Sequence, residues 1–299
     1  MPSIINSKLK KESLSRTLAR YSEAVDWLES KGLHIRASRY GRYAAHYERL
    51  IDNWGNESFS QISANRDYAS SIYEVHGVVE IKDKLSELYC EELHQSLRRI
   101  ISGKERYGDE LVGSKPNSAR DFLFELYMAR CFKRAGYSID FKTVADFNAH
   151  DEQDSIFVEC KRPSKEDTFG KNVEKALKQV VGRFSSSDFR NQKGIAAIDM
   201  SSLINPDNEF TRIDGFSNIS NQLKAGDERI ALEIRKVFSR FGQDCVSVIL
   251  YWRVPVLDTK EEAVGLYERS FSVPIYSLGA ASEQVFRRVS EKLSRSVGL

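Results

Sequence analysis

Apolar residues recur at three- and four-residue spacing through the first third of the chain, and this spacing predicts helices. One helix is predicted from Ser13, a candidate N-cap, to about Ser30, before Gly32. A second is predicted from Ser38 to Trp54. A third is predicted over about Ser63 to Ser102, with a break near Gly77. No strand-like alternation is visible in this part of the chain, so residues 1–112 are interpreted as a helical region.

The pattern changes after residues 103–118, a polar segment with three glycines and one proline that is interpreted as a hinge. Helices and strands then alternate. The predicted elements are a helix Ala119–Ala135, strands Tyr137–Ala149 and Ser155–Lys161, a helix from Asn172 to about Asp188, a strand Gly194–Met200, a helix Ser217–Phe241, strands Cys245–Trp252 and Ser270–Tyr276, and a helix Ser282–Leu293. This order predicts an α/β fold over residues 113–299, with a mixed central sheet flanked by helices.

Two charged residues interrupt the apolar strand Ser155–Lys161. Side chains alternate between the faces of a strand, so Glu159 and Lys161 share one face, while Ile156, Val158 and Cys160 point to the other. An apolar strand gives no packing reason for charges two residues apart. The pair is therefore either a solvated cross-strand pair or part of a site.

The preceding strand places Asp146 near this pair. If Ala149 pairs with Asp154 across the short loop 150–153, Asp146 lies diagonal to Glu159 on the same face, about 7–8 Å away. A one-residue slip would break this arrangement. A shifted hairpin would make Asp154 the first carboxylate instead, although Asp154 is also a typical turn residue.

Such a set suits phosphodiester chemistry. Mg²⁺ takes oxygen ligands, and one or two carboxylates usually hold it. Asp146 and Glu159 supply carboxylates, and the backbone carbonyl of Cys160 is a further candidate ligand. Lys161 is placed to serve an attacking water and the negative charge that develops at phosphorus. Mn²⁺ is expected to substitute for Mg²⁺.

The order of these residues resembles the PD-(D/E)XK nuclease superfamily, which includes restriction and repair endonucleases. Ala145-Asp146 stands where that family often has Pro-Asp, and Glu159-Cys160-Lys161 supplies the second half of the motif. The resemblance covers roughly residues 116–200. It implies a restriction-endonuclease-like core and magnesium-dependent cleavage, with DNA the expected polymer because most of the superfamily acts on DNA.

The same resemblance assigns residues on the flanking helices. Glu125 matches a glutamate on the helix before the hairpin, although it is otherwise interpreted as a surface residue. Gln179, Lys175 and Arg183 stand one turn apart on the helix after it, where the family often has a glutamine or a basic residue facing the site. An amphipathic helix displays such residues in any case, so both interpretations stay open.

Composition limits the alternatives. The chain has 299 residues, with 41% hydrophobic and 29% charged residues and a net charge of +2, which is typical of a soluble protein and not of a strongly basic nucleic-acid coat protein. Four separated cysteines and five histidines form no zinc or disulfide pattern. No apolar run has the length of a membrane span and no signal peptide is recognised, so a cytoplasmic protein is expected.

Nucleic-acid binding would have to come from local basic patches. The stronger candidate contains Arg39 and Arg42, which alternate with Tyr40 and Tyr43, a combination that suits phosphate contact and base stacking. The other interpretation is a helix with arginines on its wet face and half-buried tyrosines. A cluster of lysines and arginines near the N-terminus is the second candidate.

The sequence therefore predicts a metal-dependent nuclease, and a role in restriction or phage defence is a further hypothesis. The alternative is a catalytically inactive nuclease-like module that binds nucleic acid or a protein partner. A homodimer or a partner subunit is compatible with the long helices of the first region.

Overall fold

The structure is a computed structural model. It describes residues 4–10, 12–106, 109, 119–184, 193–215, 245–274 and 280–297. The helix predicted over Ser217–Phe241, most of the predicted hinge and the domain boundary predicted at residue 112 lie outside these ranges.

In the described ranges, eight strands form one sheet. Their bounds are β1 (Ile4–Lys10), β2 (Ser138–Asp140), β3 (Phe147–His150), β4 (Ser155–Lys161), β5 (Lys193–Asp199), β6 (Thr211–Ile213), β7 (Cys245–Asp258) and β8 (Ala263–Pro274). Seven lie in the order β1-β8-β7-β5-β4-β3-β2, and β6 pairs with the second half of β7. β5 is parallel to β4 and β7, while the pairs β1–β8, β7–β8, β3–β4 and β2–β3 are antiparallel. The prediction of a mixed α/β sheet is confirmed.

Nine helices occur among the described residues. Their bounds are α1 (Leu14–Ser30), α2 (Arg39–Asn53), α3 (Phe59–Ala64), α4 (Arg66–Leu85), α5 (Glu91–Ile101), α6 (Ala119–Arg134), α7 (Glu166–Phe184), α8 (Ser201–Ile204) and α9 (Ala280–Val297). None of the helices in these ranges combines the length and the apolar character needed to cross a bilayer.

The first two helices begin where the sequence indicates. Ser13 accepts a hydrogen bond from the backbone N–H of Arg16, and Ser38 accepts one from that of Tyr40, so each serine satisfies an N–H that the helix leaves without a partner. The third helix is predicted over about Ser63 to Ser102 with a break near Gly77, and this division is wrong. The segment forms α3, α4 and α5, and Gly77 lies inside α4, while the chain leaves the helix at residues 86–90.

The first region is not purely helical. Ile4–Lys10 forms β1, which pairs along its whole length with β8 at one edge of the sheet. The prediction of a first third without strands is therefore wrong. The sequence of β1 does not clearly indicate a strand, because polar and charged residues occupy four of its seven positions.

The N-terminal helices also share a core with the rest of the chain. One hydrophobic cluster joins Tyr40 of α2 and Tyr73 of α4 to Leu126 of α6 and Val158 of β4. A second cluster lies on the opposite face of the sheet, where Val173 of α7 packs with residues of β5 and β7. The sheet is thus covered on both faces, and the candidate site lies where β4 ends between α6 and α7.

Candidate active site

The hairpin β3–β4 sets the register of the candidate residues. Ala149 pairs with Ile156, so the predicted pairing with Asp154 is wrong by two residues. Residues 151–154 form a turn of their own, in which the Asp151 carboxylate accepts hydrogen bonds from the backbone N–H groups of Gln153 and Asp154, each at 2.8 Å. A shift of two keeps every side chain on its predicted face.

Asp146 lies just before β3 and is not part of a strand. The predicted strand Tyr137–Ala149 is divided into β2 and β3, with residues 141–146 between them. The Asp146 Oδ2 atom accepts a hydrogen bond of 2.6 Å from the backbone N–H of Cys160. This bond fixes the Asp146 carboxylate beside the Glu159–Lys161 segment, as the sequence predicts.

Glu159 and Lys161 are in direct contact. The Lys161 Nζ atom donates to Glu159 Oε1 at 2.6 Å and to the carbonyl oxygen of Cys160 at 3.0 Å. Glu159 is only 1% exposed. Burial lowers the pKa of Lys161, but the charge of Glu159 and the hydrogen bond to it, followed by the charge of Asp146, outweigh this effect and raise it overall. Lys161 is therefore an ammonium group at neutral pH.

Glu125 belongs to the same electrostatic cluster. It lies on α6, and its pKa is raised to about 9, first by burial and then by the charges of Asp146, Asp121 and Glu159, against the opposing effect of Lys161. These charged groups therefore lie close enough to Glu125 to change its pKa. The structure thus brings Glu125, Asp146, Glu159 and Lys161 together, and the carboxylates outnumber the single ammonium.

Cys160 contributes to this site through its backbone and not through its thiol. Burial raises the pKa of the thiol well above its usual range, and Asp146, Glu125 and Glu159 raise it further. The side chain therefore stays protonated, and it belongs to the hydrophobic cluster beneath α6. The carbonyl oxygen faces Lys161 instead, which leaves an oxygen ligand on the same side as the carboxylates.

The donor set fits a hard cation. Two carboxylates and a backbone carbonyl are oxygen ligands of the kind Mg²⁺ accepts, and the excess of negative charge favours a divalent ion. In the described part of the chain, however, no three histidine, cysteine, aspartate or glutamate side chains are arranged as a ready metal site. Any ion would depend on the Cys160 carbonyl and on water to complete its shell.

Helix α7 covers the face of the sheet that carries the charged pair. Glu159 and Lys161 pair with Ala196 and Ile198 of β5, which pack in the cluster beneath α7. The helix begins six residues earlier than the predicted Asn172. Because its core residues pack on Ala196 and Ile198, the helix lies over the same face as Glu159 and Lys161, in agreement with the sequence.

A surface depression of about 420 Å³ runs along α7, lined by Lys171, Glu174, Lys175, Lys178 and Gln179. Lys175 is exposed, and the buried Oε1 atom of Gln179 has no hydrogen-bond partner among the residues that the structure describes. Lys178 pairs with Glu174 at 2.7 Å, so Lys171 and Lys175 supply most of the uncompensated positive charge here. Arg183 lies in the last turn of α7, and its side chain is outside the described part of the structure.

The arginine–tyrosine patch is not a surface for bases. Arg39 is 1% exposed, and its guanidinium contacts Glu74 and the Tyr40 ring, so it does not reach a phosphate. Tyr40 and Tyr43 are fully buried. The assignment of Arg39 to nucleic-acid binding is therefore wrong. Arg42 remains about half exposed and pairs with Glu105, so its assignment stays a prediction.

Asp154 does not compete with Asp146 for the site. It lies at the other end of β4, where its buried carboxylate accepts hydrogen bonds from the Arg288 side chain of α9. The Arg288 Nε atom is 3.0 Å from Asp154 Oδ2. The alternative in which Asp154 is the first carboxylate is thus excluded by its position and by its partner.

Comparison of the chain with protein-family models, with curated proteins and with solved structures found no match. The superfamily resemblance therefore rests on the residues and the geometry described above.

One group beside the site is not foreseen by the motif. Arg162 follows Lys161 directly and contacts two carboxylates, Asp121 of α6 and Asp199 of β5. A signal existed in the sequence, since Asp121 lies one helical turn before Glu125, and Asp199 ends the apolar run of β5. Only the fold brings the three residues together.

Proposed function

We propose that the protein is a magnesium-dependent nuclease of the PD-(D/E)XK type, with a restriction-endonuclease-like core. The observation that carries the proposal is the contact of Lys161 with both Glu159 Oε1 and the Cys160 carbonyl oxygen, beside an Asp146 carboxylate bound to the Cys160 N–H. The residues that carry these atoms follow each other in the order of the superfamily motif. The carboxylate and carbonyl oxygens are suitable ligands for Mg²⁺, and the ammonium group is suited to stabilise negative charge at phosphorus.

Asp146, Glu159 and the carbonyl oxygen of Cys160 would hold the metal. A bound Mg²⁺ supplies Lewis acidity toward the phosphate and lowers the pKa of bound water. Glu125 would serve as an outer ligand or as a ligand of a second ion. Its pKa is raised to about 9, first by burial and then by the charge of Asp146, so a bound cation would be needed to favour its ionised form at neutral pH. The role of Asp146 and Glu159 would be to hold a cation where the phosphodiester binds.

Lys161 would stabilise negative charge at phosphorus and orient the attacking water. Its pKa is raised in this environment, so the charged ammonium is the form that the neighbouring carboxylates favour. An ammonium donates hydrogen bonds and cannot accept a proton. The geometry therefore favours electrostatic stabilisation over general-base catalysis for this residue.

The substrate would lie along α7. Lys171 and Lys175 offer positive charge to a phosphate backbone, and Gln179 lines the same depression. DNA is the proposed polymer, because most members of the resembling superfamily act on DNA. A role in restriction or phage defence, and assembly with a second subunit, stay predictions.

The test is cleavage of supercoiled plasmid by the purified protein in Mg²⁺ and in chelator. Nicking that requires the metal and disappears in Glu159→Gln would support the proposal. Nicking that persists at the wild-type rate in Glu159→Gln would refute it, because the carboxylate would then play no part in the reaction.

A second candidate function is a nuclease-like module that binds nucleic acid or a protein without cutting. It is favoured by one observation: the described residues include no group of three candidate side-chain ligands arranged to hold a metal. Titration calorimetry with Mn²⁺ separates the two functions. Binding lost in Glu159→Gln supports the enzyme, whereas retained DNA binding with no Mn²⁺ uptake supports the module.

A further inference from the structure

Arg162 joins three elements at the edge of the candidate site. Its Nη1 atom lies 2.9 Å from Asp121 Oδ1 on α6, and its Nε atom lies 3.1 Å from Asp199 Oδ2 at the end of β5. The arginine itself directly follows β4, and its side chain is almost fully buried. One guanidinium thus links the ends of two parallel strands to the first turn of α6.

The arm to Asp199 is anchored in the sheet. Asp199 Oδ1 accepts hydrogen bonds from the backbone N–H of Ser201 at 2.9 Å and from its hydroxyl at 2.5 Å. The Ser201 hydroxyl oxygen in turn accepts a bond of 3.0 Å from the backbone N–H of Arg253 on β7. The Asp199 carboxylate therefore has a fixed position, and it holds the guanidinium in one orientation.

The arm to Asp121 reaches the helix that carries Glu125. Asp121 lies one turn before Glu125, so the two carboxylates share a face of α6. Burial is the largest cause of the raised pKa of Glu125, followed by the charges of Asp146 and Asp121, so Asp121 lies close enough to act on Glu125. By pairing with Asp121 and with Asp199, Arg162 ties the first turn of α6 to the ends of β4 and β5.

We propose that Arg162 is a positioning residue: it bridges Asp121 and Asp199 and so holds α6, with Glu125, in register with the Asp146–Glu159–Lys161 group. This inference rests on the proposed function, because it assigns Arg162 to the support of the same site. Substitution of groups that orient metal ligands typically lowers metal affinity or activity by about 10–100-fold.

The geometry requires arginine at this position. The Nε and Nη1 atoms point to two different carboxylates, a task for the rigid planar fork of a guanidinium. A lysine at residue 162 would keep the charge but would offer a single ammonium centre. Arg162→Lys therefore isolates the bridge from the charge.

The experiment measures Mn²⁺ affinity by titration calorimetry for wild type, Arg162→Lys, Asp121→Asn and the double variant. The matched control is Arg20→Lys, because Arg20 also bridges two carboxylates from separate segments, Glu12 and Asp83, but lies on α1. Thermal unfolding of each variant checks the fold. Should Arg162→Lys fail to fold, Asp121→Asn still tests the bridge, because it leaves the Arg162–Asp199 pair in place.

Both single variants are expected to bind Mn²⁺ about tenfold more weakly than wild type, with the control unchanged. The double variant is expected to match the singles, because both changes break one bridge and their effects are then not additive. Wild-type affinity in Arg162→Lys, additive losses, or an equal loss in Arg20→Lys would overturn the inference alone. A wild-type protein that neither binds Mn²⁺ nor cleaves DNA would overturn the proposed function and this inference with it.

Discussion

The guanidinium of Arg253 on β7 packs directly against the backbone of Gly77 in α4. A Cβ atom at Gly77 would stand 2.9 Å from Nη2 and 3.1 Å from Nη1 of Arg253. The guanidinium has little freedom to move away, since it is buried and lies 3.9 Å from the centre of the Tyr73 ring and 4.8 Å from that of Tyr127. Because glycine has no side chain, α4 can pack closely against Arg253 of β7 at residue 77.

Gly77→Ala is therefore expected to destabilise the protein by about 1–3 kcal/mol, the usual cost of overpacking a core. The sign is the reverse of the usual helix preference, in which alanine is better than glycine by about 1 kcal/mol. Urea unfolding measures the change. Gly170→Ala in α7 is the control, because nothing lies within 4 Å of its added Cβ, and it should stabilise. Equal shifts in both variants would show that Arg253 does not restrict residue 77.

Removal of either member of the Glu159–Lys161 pair should abolish cleavage. Glu159→Ala and Lys161→Ala, and the size-conserving Glu159→Gln and Lys161→Met, are expected to lower the rate of Mg²⁺-dependent nicking by at least about 10²-fold. The size-conserving forms are preferred, because each alanine leaves a cavity beside a buried charge. Circular dichroism confirms that the variants fold.

The control for this pair is the contact of Lys82 with Glu23 on the N-terminal helices, which has a similar length of 2.8 Å. Glu23→Gln and Lys82→Met should cut DNA at the wild-type rate. Full activity in Lys161→Met would remove the lysine from the mechanism, whatever the controls do.

Lysines of α7 should govern the affinity for nucleic acid. Lys171→Gln and Lys175→Gln are each expected to weaken DNA binding and to reduce the slope of log K against log salt by about 0.9 per lost phosphate contact. Fluorescence anisotropy with a labelled duplex in chelator measures both quantities without cleavage. Lys84→Gln, an exposed lysine of α4, is the control. A salt slope that does not change in the α7 variants would place the nucleic acid elsewhere.

His76 should make the protein less stable in acid. Burial, followed by the charge of Lys10, lowers the pKa of His76 from 6.5 to about 3 in the folded state. Between these values the unfolded chain binds a proton that the folded chain does not, so the free energy of unfolding falls as pH falls from about 6.5 to 3. The slope from this one group is at most about 1.4 kcal/mol per pH unit.

Urea unfolding at several pH values between 7 and 4 tests this dependence. His76→Asn should flatten the pH dependence, whereas His34→Asn, at an exposed position, should leave it unchanged. A wild-type slope in His76→Asn would mean that other groups account for the acid sensitivity.

The local signals of the sequence predicted most helices well. Serine caps at residues 13 and 38 and the apolar spacing that follows them identified α1 and α2, because capping depends on neighbours within one turn. The same local logic failed at Gly77. A glycine in a helical segment suggests a break, but here Gly77 leaves space for the guanidinium of Arg253, which lies far away in the sequence.

The candidate site was predictable because side-chain faces depend only on whether a register shift is odd or even. The predicted pairing of the hairpin was wrong by two residues, yet Asp146, Glu159 and Lys161 still meet. Arg39 shows the opposite outcome. Its partner Glu74 lies on another helix, so the sequence could not distinguish a buried ion pair from a phosphate-binding arginine.

The pairing of β1 with β8 has a consequence for how the chain folds. Ile4 pairs with Ser272, so β1 is synthesised long before the strand with which it pairs. Contacts between such distant segments close a very long loop, and they form late and slowly. Until β8 has been synthesised, the groups of β1 that hydrogen-bond to it are open to other chains, so nascent molecules would be prone to aggregate through β1.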